Sequence, residues 1–245
     1  MHSANFLFLR PASYLKELKM AKKKVTEENL INVDEVYTKT EQFVDRNRNQ
    51  LTYGLGGTAL IILLFAGYKQ LIVKPANDAA EIAIFQAEHY FSKDSVDLAQ
   101  YGDGFSAGLN EVMSEHSGTN AASRAAYLVG VANRDAGLYA EAIEAFEQVA
   151  FDDDVIKPFA LAGIGDCYTD MGDYSSAEGY FEDAASAADV GLAAKSIAPN
   201  FHYKHALILI ELSRGSEAKA VLNLIIEEYP NSRLNKTAVA LHASL

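Results

Sequence analysis

Of the six histidines, His202 and His205 stand three residues apart, a spacing that puts both on one face of a helix and could let them share a metal ion. No Glu or Cys stands beside them at ligand spacing, so the pair is expected to be packing or surface residues. Asp152-Asp153-Asp154 is a run of carboxylates at a helix boundary, expected to be a solvated loop or cap. Cys167 is the only cysteine. It can form no disulfide within the chain and no thiolate zinc site, and a buried, inert thiol is expected. Neither a Walker sequence nor an H-E-x-x-H helix is present, and neither a G-x-S-x-G motif nor a dinucleotide fingerprint is expected. The chain is expected to be no enzyme, with no catalytic residue, no cofactor and no metal.

Charge narrows the partners. The 245 residues carry a formal charge of −12, are 49% hydrophobic and 22% charged, and include no Trp. This composition excludes collagen, disulfide scaffolds and wholesale disorder. The charge is unevenly placed. Residues 1–50 hold nine Lys/Arg against seven Asp/Glu, residues 51–68 hold none, and from Lys69 onward there are 12 basic and 26 acidic residues, a net of −14. So acidic a carboxy-terminal part excludes nucleic acid as a partner, since phosphate backbones need clustered Lys/Arg. It also keeps that part off anionic lipid surfaces.

Residues 51–73, LTYGLGGTALIILLFAGYKQLIV, have the length and apolarity of a transmembrane helix. Lys69 can snorkel, and Tyr53 and Tyr68 stand where interfacial aromatics belong. Gly54, Gly56, Gly57 and Gly67 would weaken a soluble helix but suit close packing in a bilayer. The run starts some fifty residues in and lacks a small-x-small cleavage site, which makes it a signal anchor. Lys39, Arg46 and Arg48 precede it and Lys69 and Lys74 follow, while Lys22-Lys23-Lys24 add to the amino-terminal side. The expected topology is single-pass, with 1–50 a partly disordered basic cytoplasmic tail, 51–73 the anchor and 74–245 outside. Met20 offers an alternative start. Residues 32–48 have the rhythm of a juxtamembrane helix.

The domain beyond the anchor repeats itself. YLVGVANRDAGLYAEAIEAFEQV (127–149) and AGIGDCYTDMGDYSSAEGYFEDA (162–184) match at Gly130/Gly165, Gly137/Gly172, Tyr139/Tyr174, Ala142/Ala177 and Phe146/Phe181, each displaced by 35. Gly130 and Gly165 would let two helices of a unit approach closely. Gly137 and Gly172 would occupy the turn, where positive φ suits glycine. The alanines form the tight crossing and the phenylalanines fill the groove beside it. A degenerate third unit has a first helix over 201–213, with Ala206 in the glycine position, and a second over 217–232, with Ala218, Leu222 and a terminating Pro230. Roughly seven extra residues fall around 187–199. An atypical leading unit covers about 76–117, and Tyr101-Gly102-Asp103-Gly104 breaks its helix, with too few carboxylates for a calcium loop.

These matched positions resemble the tetratricopeptide repeat. The resemblance implies an all-α superhelix whose concave groove is lined by the first helix of each unit. In that register the groove residues would be Arg124, Tyr127, Arg134, Phe159, Asp166, Asp170, Tyr203 and Leu207. Arg124 and Phe159 replace the Lys/Asn carboxylate clamp of chaperone-binding members, so an acidic chaperone tail is not the expected ligand.

The whole order of basic tail, single anchor and acidic repeat domain, with Ala87-Glu88-His89-Tyr90-Phe91, Ser117-Gly118-Thr119-Asn120-Ala121-Ala122 and Gly165-Asp166-x-Tyr168, resembles the ancillary Sec-translocon subunits related to YfgM, in versions from the Bacteroidota. That resemblance covers about residues 35–245. It implies a non-catalytic subunit in the bacterial inner membrane, its repeat domain periplasmic, working beside the Sec translocon with a membrane-anchored periplasmic prolyl-isomerase-like chaperone, and its membrane helix packed against partner helices through Gly54, Gly57 and Thr58. Two other roles stay open: an adaptor of another envelope complex, in cell division or outer-membrane assembly, and a stress-signalling regulator acting through its cytoplasmic tail.

Overall fold

The computed structural model describes residues 41–150, 155–190 and 194–245. The tail before Glu41, with Met20, Lys22-Lys23-Lys24 and Lys39, lies outside the described residues, as does Asp152-Asp153-Asp154. Among the described residues every regular element is helical.

The chain divides into two compact units, at Ala66/Gly67. In the first, residues 41–46 are helical and α1 spans Arg48–Tyr68. None of α1 is buried by protein, and Leu60 through Phe65 all stand exposed. Thr58 Oγ1 donates to the Gly54 carbonyl at 2.9 Å, closing its hydroxyl within the helix. The four glycines have open space where a Cβ would stand. The helix long and apolar enough to cross a membrane runs Arg48–Ser92, 45 residues, beyond both ends of the expected span.

In the second unit, Lys69–Val73 forms a single π-helical turn, in which the Lys74 N–H reaches the Lys69 carbonyl. Pro75 explains it: with no N–H, it cannot bond the Leu71 carbonyl, and its ring would crowd that group in a normal α turn. Then follow α2 (Lys74–Ser92), α3 (Val96–Tyr101), α4 (Leu109–Glu115), α5 (Asn120–Asp135), α6 (Tyr139–Glu147), α7 (Ile156–Asp170), α8 (Tyr174–Asp189), α9 (Ala194–Glu211), α10 (Gly215–Glu228) and α11 (Asn235–Ser244). The pairs α5–α6, α7–α8 and α9–α10 are the three repeat units.

The core is a chain of small clusters, each bridging neighbours. One joins α2 to α5 around Ile84, Leu109 and Val112, and the next holds Phe146, Ile164 and Cys167. A third holds Phe181 and Phe201, and a last one seats Leu222 and Ile225 against Ala238 of α11. No unit buries its apolar faces alone, as a stacked array requires. The capping helix α11 was not foreseen in the sequence.

Glycine does the work expected of it. A Cβ on Gly130 would stand 2.5 Å from the Phe146 ring, and one on Gly163 would stand 2.6 Å from the same ring's far edge. Two backbones thus close over one aromatic. At Gly165 the Phe181 ring would lie 3.0 Å away. Gly137 and Gly172 have φ of +77° and +80°. In both turns the next N–H reaches back five residues, Leu138 to Asn133 and Asp173 to Tyr168, satisfying the last carbonyls of the helix. The same turn recurs where the sequence has no glycine. Ser213 takes φ +59° as Arg214 N–H reaches Leu209, and Asp94 takes φ +60° as Ser95 N–H reaches Tyr90. The leading unit therefore turns at Asp94, ahead of the break expected at Tyr101–Gly104.

The extra residues before the third unit become helix. Ala177 to Ala218 is 41 positions, against 35 from Ala142 to Ala177. Most of the difference is absorbed by α8, 16 residues long where α6 has nine. The first helix of that unit starts at Ala194, ahead of Pro199, which is buried at the position Pro158 occupies in α7.

Candidate protein-binding groove

The first helices α5, α7 and α9 carry the residues that the repeat register assigns to the groove, and the structure divides them into three groups. At the leading end, Arg124 is spent on α2: its Nε donates to Glu88 at 2.9 Å and its Nη2 to Glu81 at 2.7 Å. The hydrogen bond to Glu81 raises the guanidinium's pKa, and the same bond holds the Glu81 carboxyl below its ordinary range. Arg124 thus staples two helices. Tyr127 rests on the ring of Phe146, centroids 5.9 Å apart, and burial pushes its phenol up.

A second group crosses all three units. Arg134 Nη1 lies 3.4 Å from Asp166 Oδ2, and Lys204 Nζ donates to the same oxygen at 2.7 Å. Asp166 therefore links α5 to α9 through α7. Burial works against the Arg134 charge, but the hydrogen bond to Asp135 and the charges of Asp135 and Asp166 together outweigh it, and the pKa is raised. Lys204 is the residue sequence reasoning missed. It stands two positions before the matched Ala206, and only the stacking of α9 on α7 brings it to Asp166.

The third group borders an open cavity of about 330 Å³ between α7 and α9, lined by Asp166 and Leu207 together with Lys204, Phe181, Ile208 and Glu211. Its floor is apolar. Lys204 sits 5.4 Å from the Phe181 ring centre, held between ring and carboxylate. Leu207 is 39% exposed over that floor. Phe159 is equally exposed and meets Phe201 edge-on at 5.2 Å, while Asp170 is exposed beside Thr169 and Tyr203 packs into the last core cluster.

Outside the groove, the histidines do find carboxylates, though not by sequence spacing. His202 Nε2 lies 3.0 Å from Asp189, which also accepts from Tyr229. Burial, then Asp189, pushes the Tyr229 phenol up to about 12. His205 Nε2 lies 3.3 Å from Glu178, and the ligand atoms of Glu178, Glu182 and His205 come within 4.8 Å of one another. α8 supplies both glutamates to His205, 27 and 23 positions back in the chain and so beyond the ligand spacing that the sequence can show. Arg214 Nη1 already takes Glu178 at 3.3 Å, so the charged pair in this cluster ties α8 to the turn between α9 and α10. Cys167 is fully buried, and burial pushes its thiol up to about 11, which removes the reactive thiolate.

One pentapeptide carries the letters of the catalytic motif expected to be absent. Gly104-Phe105-Ser106-Ala107-Gly108 has the letters G-x-S-x-G. It lies in the loop between α3 and α4, with no strand leading into it. Its backbone folds around Asp103, whose carboxylate accepts the N–H groups of Phe105 and Ser106 at 2.9 and 2.7 Å. A Cβ on Gly108 would meet the Gln100 carbonyl at 2.5 Å, and one on Gly102 the Ser106 carbonyl at 2.4 Å. These glycines serve a tight loop crossing, not the strand-to-helix elbow that presents a nucleophile.

Models of the Tetratricopeptide repeat match the chain over residues 160–189 and 202–232. No curated protein sequence matches it. The two matched stretches are the body of α7–α8 and the body of α9–α10 with its terminating turn, so the motif and the helix pairs coincide: this chain carries tetratricopeptide repeats.

Proposed function

We propose that the chain is a non-catalytic scaffold, anchored in a membrane through residues 51–73, whose repeat groove holds a partner protein. The observation that carries this reading is the open cavity between α7 and α9, with Leu207 left exposed over an apolar floor. A repeat array with such a face is a surface for holding a segment of another protein. The uncovered apolar side chains of α1 support the anchor, and Gly54, Gly57 and Thr58 would be its contacts with partner helices.

At the finer level the scaffold is an accessory subunit of the Sec translocon, single-pass in a bacterial inner membrane, with residues 1–50 cytoplasmic and 74–245 periplasmic. Its second partner is a membrane-anchored prolyl-isomerase-like chaperone. The support is the order of tail, anchor and acidic repeat domain together with the phrases quoted above. The eight register positions, Arg124 to Leu207, delimit the groove, with Lys204 added.

The test is a tagged pull-down from mildly solubilised native membranes, with partners identified by mass spectrometry. Recovery of channel subunits and an isomerase-like chaperone is expected. Recovery of cell-division or outer-membrane-assembly components instead would overturn the translocon assignment and leave the scaffold.

A further inference from the structure

The cavity between α7 and α9 is not electrically neutral once its internal pairs are removed. Three of its lining residues are charged. Lys204 and Asp166 neutralise one another at 2.7 Å, and Arg134, which also reaches Asp166, is itself neutralised by Asp135 at 2.9 Å. That leaves Glu211, exposed at the rim and in no ion pair among the described residues. Asp170, on the same helix as Asp166, is likewise exposed and makes no ion pair among the described residues. Around them lies a domain of net charge −14 from Lys69 onward. The well itself is apolar: Phe181 and Ile208 are buried and Leu207 is open. About 330 Å³ is the low end of the range for ligand pockets, room for one or two side chains and not for a folded surface.

Resting on the scaffold reading, we infer that this cavity takes an apolar side chain of an extended partner segment, with a neighbouring Lys or Arg of that segment paired to Glu211. An acidic segment would set like charges against Glu211 and Asp170 and enter against the field of the whole domain. A neutral apolar segment would leave the rim carboxylate without a counterpart. A basic, apolar segment satisfies both, and its capture weakens as salt screens the exposed pair.

The test uses the full chain in detergent micelles on an array of random ten-residue peptides. Bound peptides are expected to be enriched in Leu, Ile or Phe flanked by Lys or Arg and depleted in Asp and Glu. Glu211→Lys should reverse the charge preference, and Leu207→Ser should weaken the best binders roughly tenfold, as loss of one central anchor does. Leu224→Ser, at an exposed residue of α10, should change neither. Far-ultraviolet circular dichroism of each variant shows that helix content is kept. Enrichment of acidic peptides, a charge preference indifferent to Glu211→Lys, or no peptide retained would overturn the inference. These failures are distinct from that of the scaffold reading, which is lost if the native-membrane pull-down yields no partner protein.

Discussion

Lys204 Nζ and Asp166 Oδ2 stand 2.7 Å apart, so side chains separated by 38 positions tie the first helices of two successive repeats across the groove. With Arg134 on the same carboxylate, one acid organises three units. The pair is partly exposed, 40% for the lysine side chain and 28% for the aspartate, so its share of stability is small.

Lys204→Met is therefore expected to cost about 0.2–1 kcal/mol, the usual worth of a solvent-screened pair. Thermal unfolding would measure it. The same substitution removes one of the two cations on Asp166 and should tighten binding of basic peptides. Unfolding of the third unit would show instead that the pair carries much of the packing.

Gly130→Ala and Gly165→Ala should separate by geometry. Alanine ordinarily improves a helix by up to about 1 kcal/mol over glycine. At Gly130 the new methyl meets a buried ring at 2.5 Å, and Phe146 cannot retreat because Gly163 closes its other side. Overpacking of about 1–3 kcal/mol should win there. At Gly165 the ring stands 3.0 Å off, and the loss should be smaller. Equal melting temperatures for the two variants would contradict this.

Ser213→Gly should stabilise the chain. Ser213 holds φ +59° in a turn that the other two repeats give to glycine. A left-handed conformation costs a non-glycine residue about 1–2 kcal/mol, part of which returns as unfolded-state entropy on going to glycine. A net gain of about 0.5–1 kcal/mol is expected in denaturant unfolding. Gly137→Ser should lose a comparable amount.

Acid should loosen the leading unit first. Glu81 is held below its ordinary 4.5 by the Arg124 hydrogen bond, and Asp103 below its ordinary 3.8 by the Ser106 N–H and then the Tyr90 hydroxyl. A carboxylate whose folded pKa is depressed stabilises the fold above its unfolded pKa, and that contribution is lost as pH falls through the folded value. Amide exchange at pH 7 and pH 3 should therefore show protection lost earlier in α2 and the 102–108 loop than in α6. Glu81→Gln should remove much of the difference in α2.

How much of this was legible in the sequence depended on range. The turn glycines and the Gly130–Phe146 contact follow from local spacing, because a five-residue backward hydrogen bond and a missing Cβ are properties of one helix pair. Lys204, the α2 carboxylates on Arg124 and the Glu178–His205 contact were not legible, since each depends on how successive units rotate against one another. Ser213 and Asp94 were hidden for another reason. Their turn is fixed by backbone hydrogen bonds that serine and aspartate can make at some strain, so the residue type does not announce it.

The groove as the seat of a partner is tested most directly by site-specific photocrosslinking in native membranes. A photoreactive residue would replace Leu207 on the groove face or Leu224 on α10, both exposed. A discrete protein adduct from position 207 and none from position 224 is the predicted result. An adduct from position 224 alone would move the binding surface to the second helices and contradict the account.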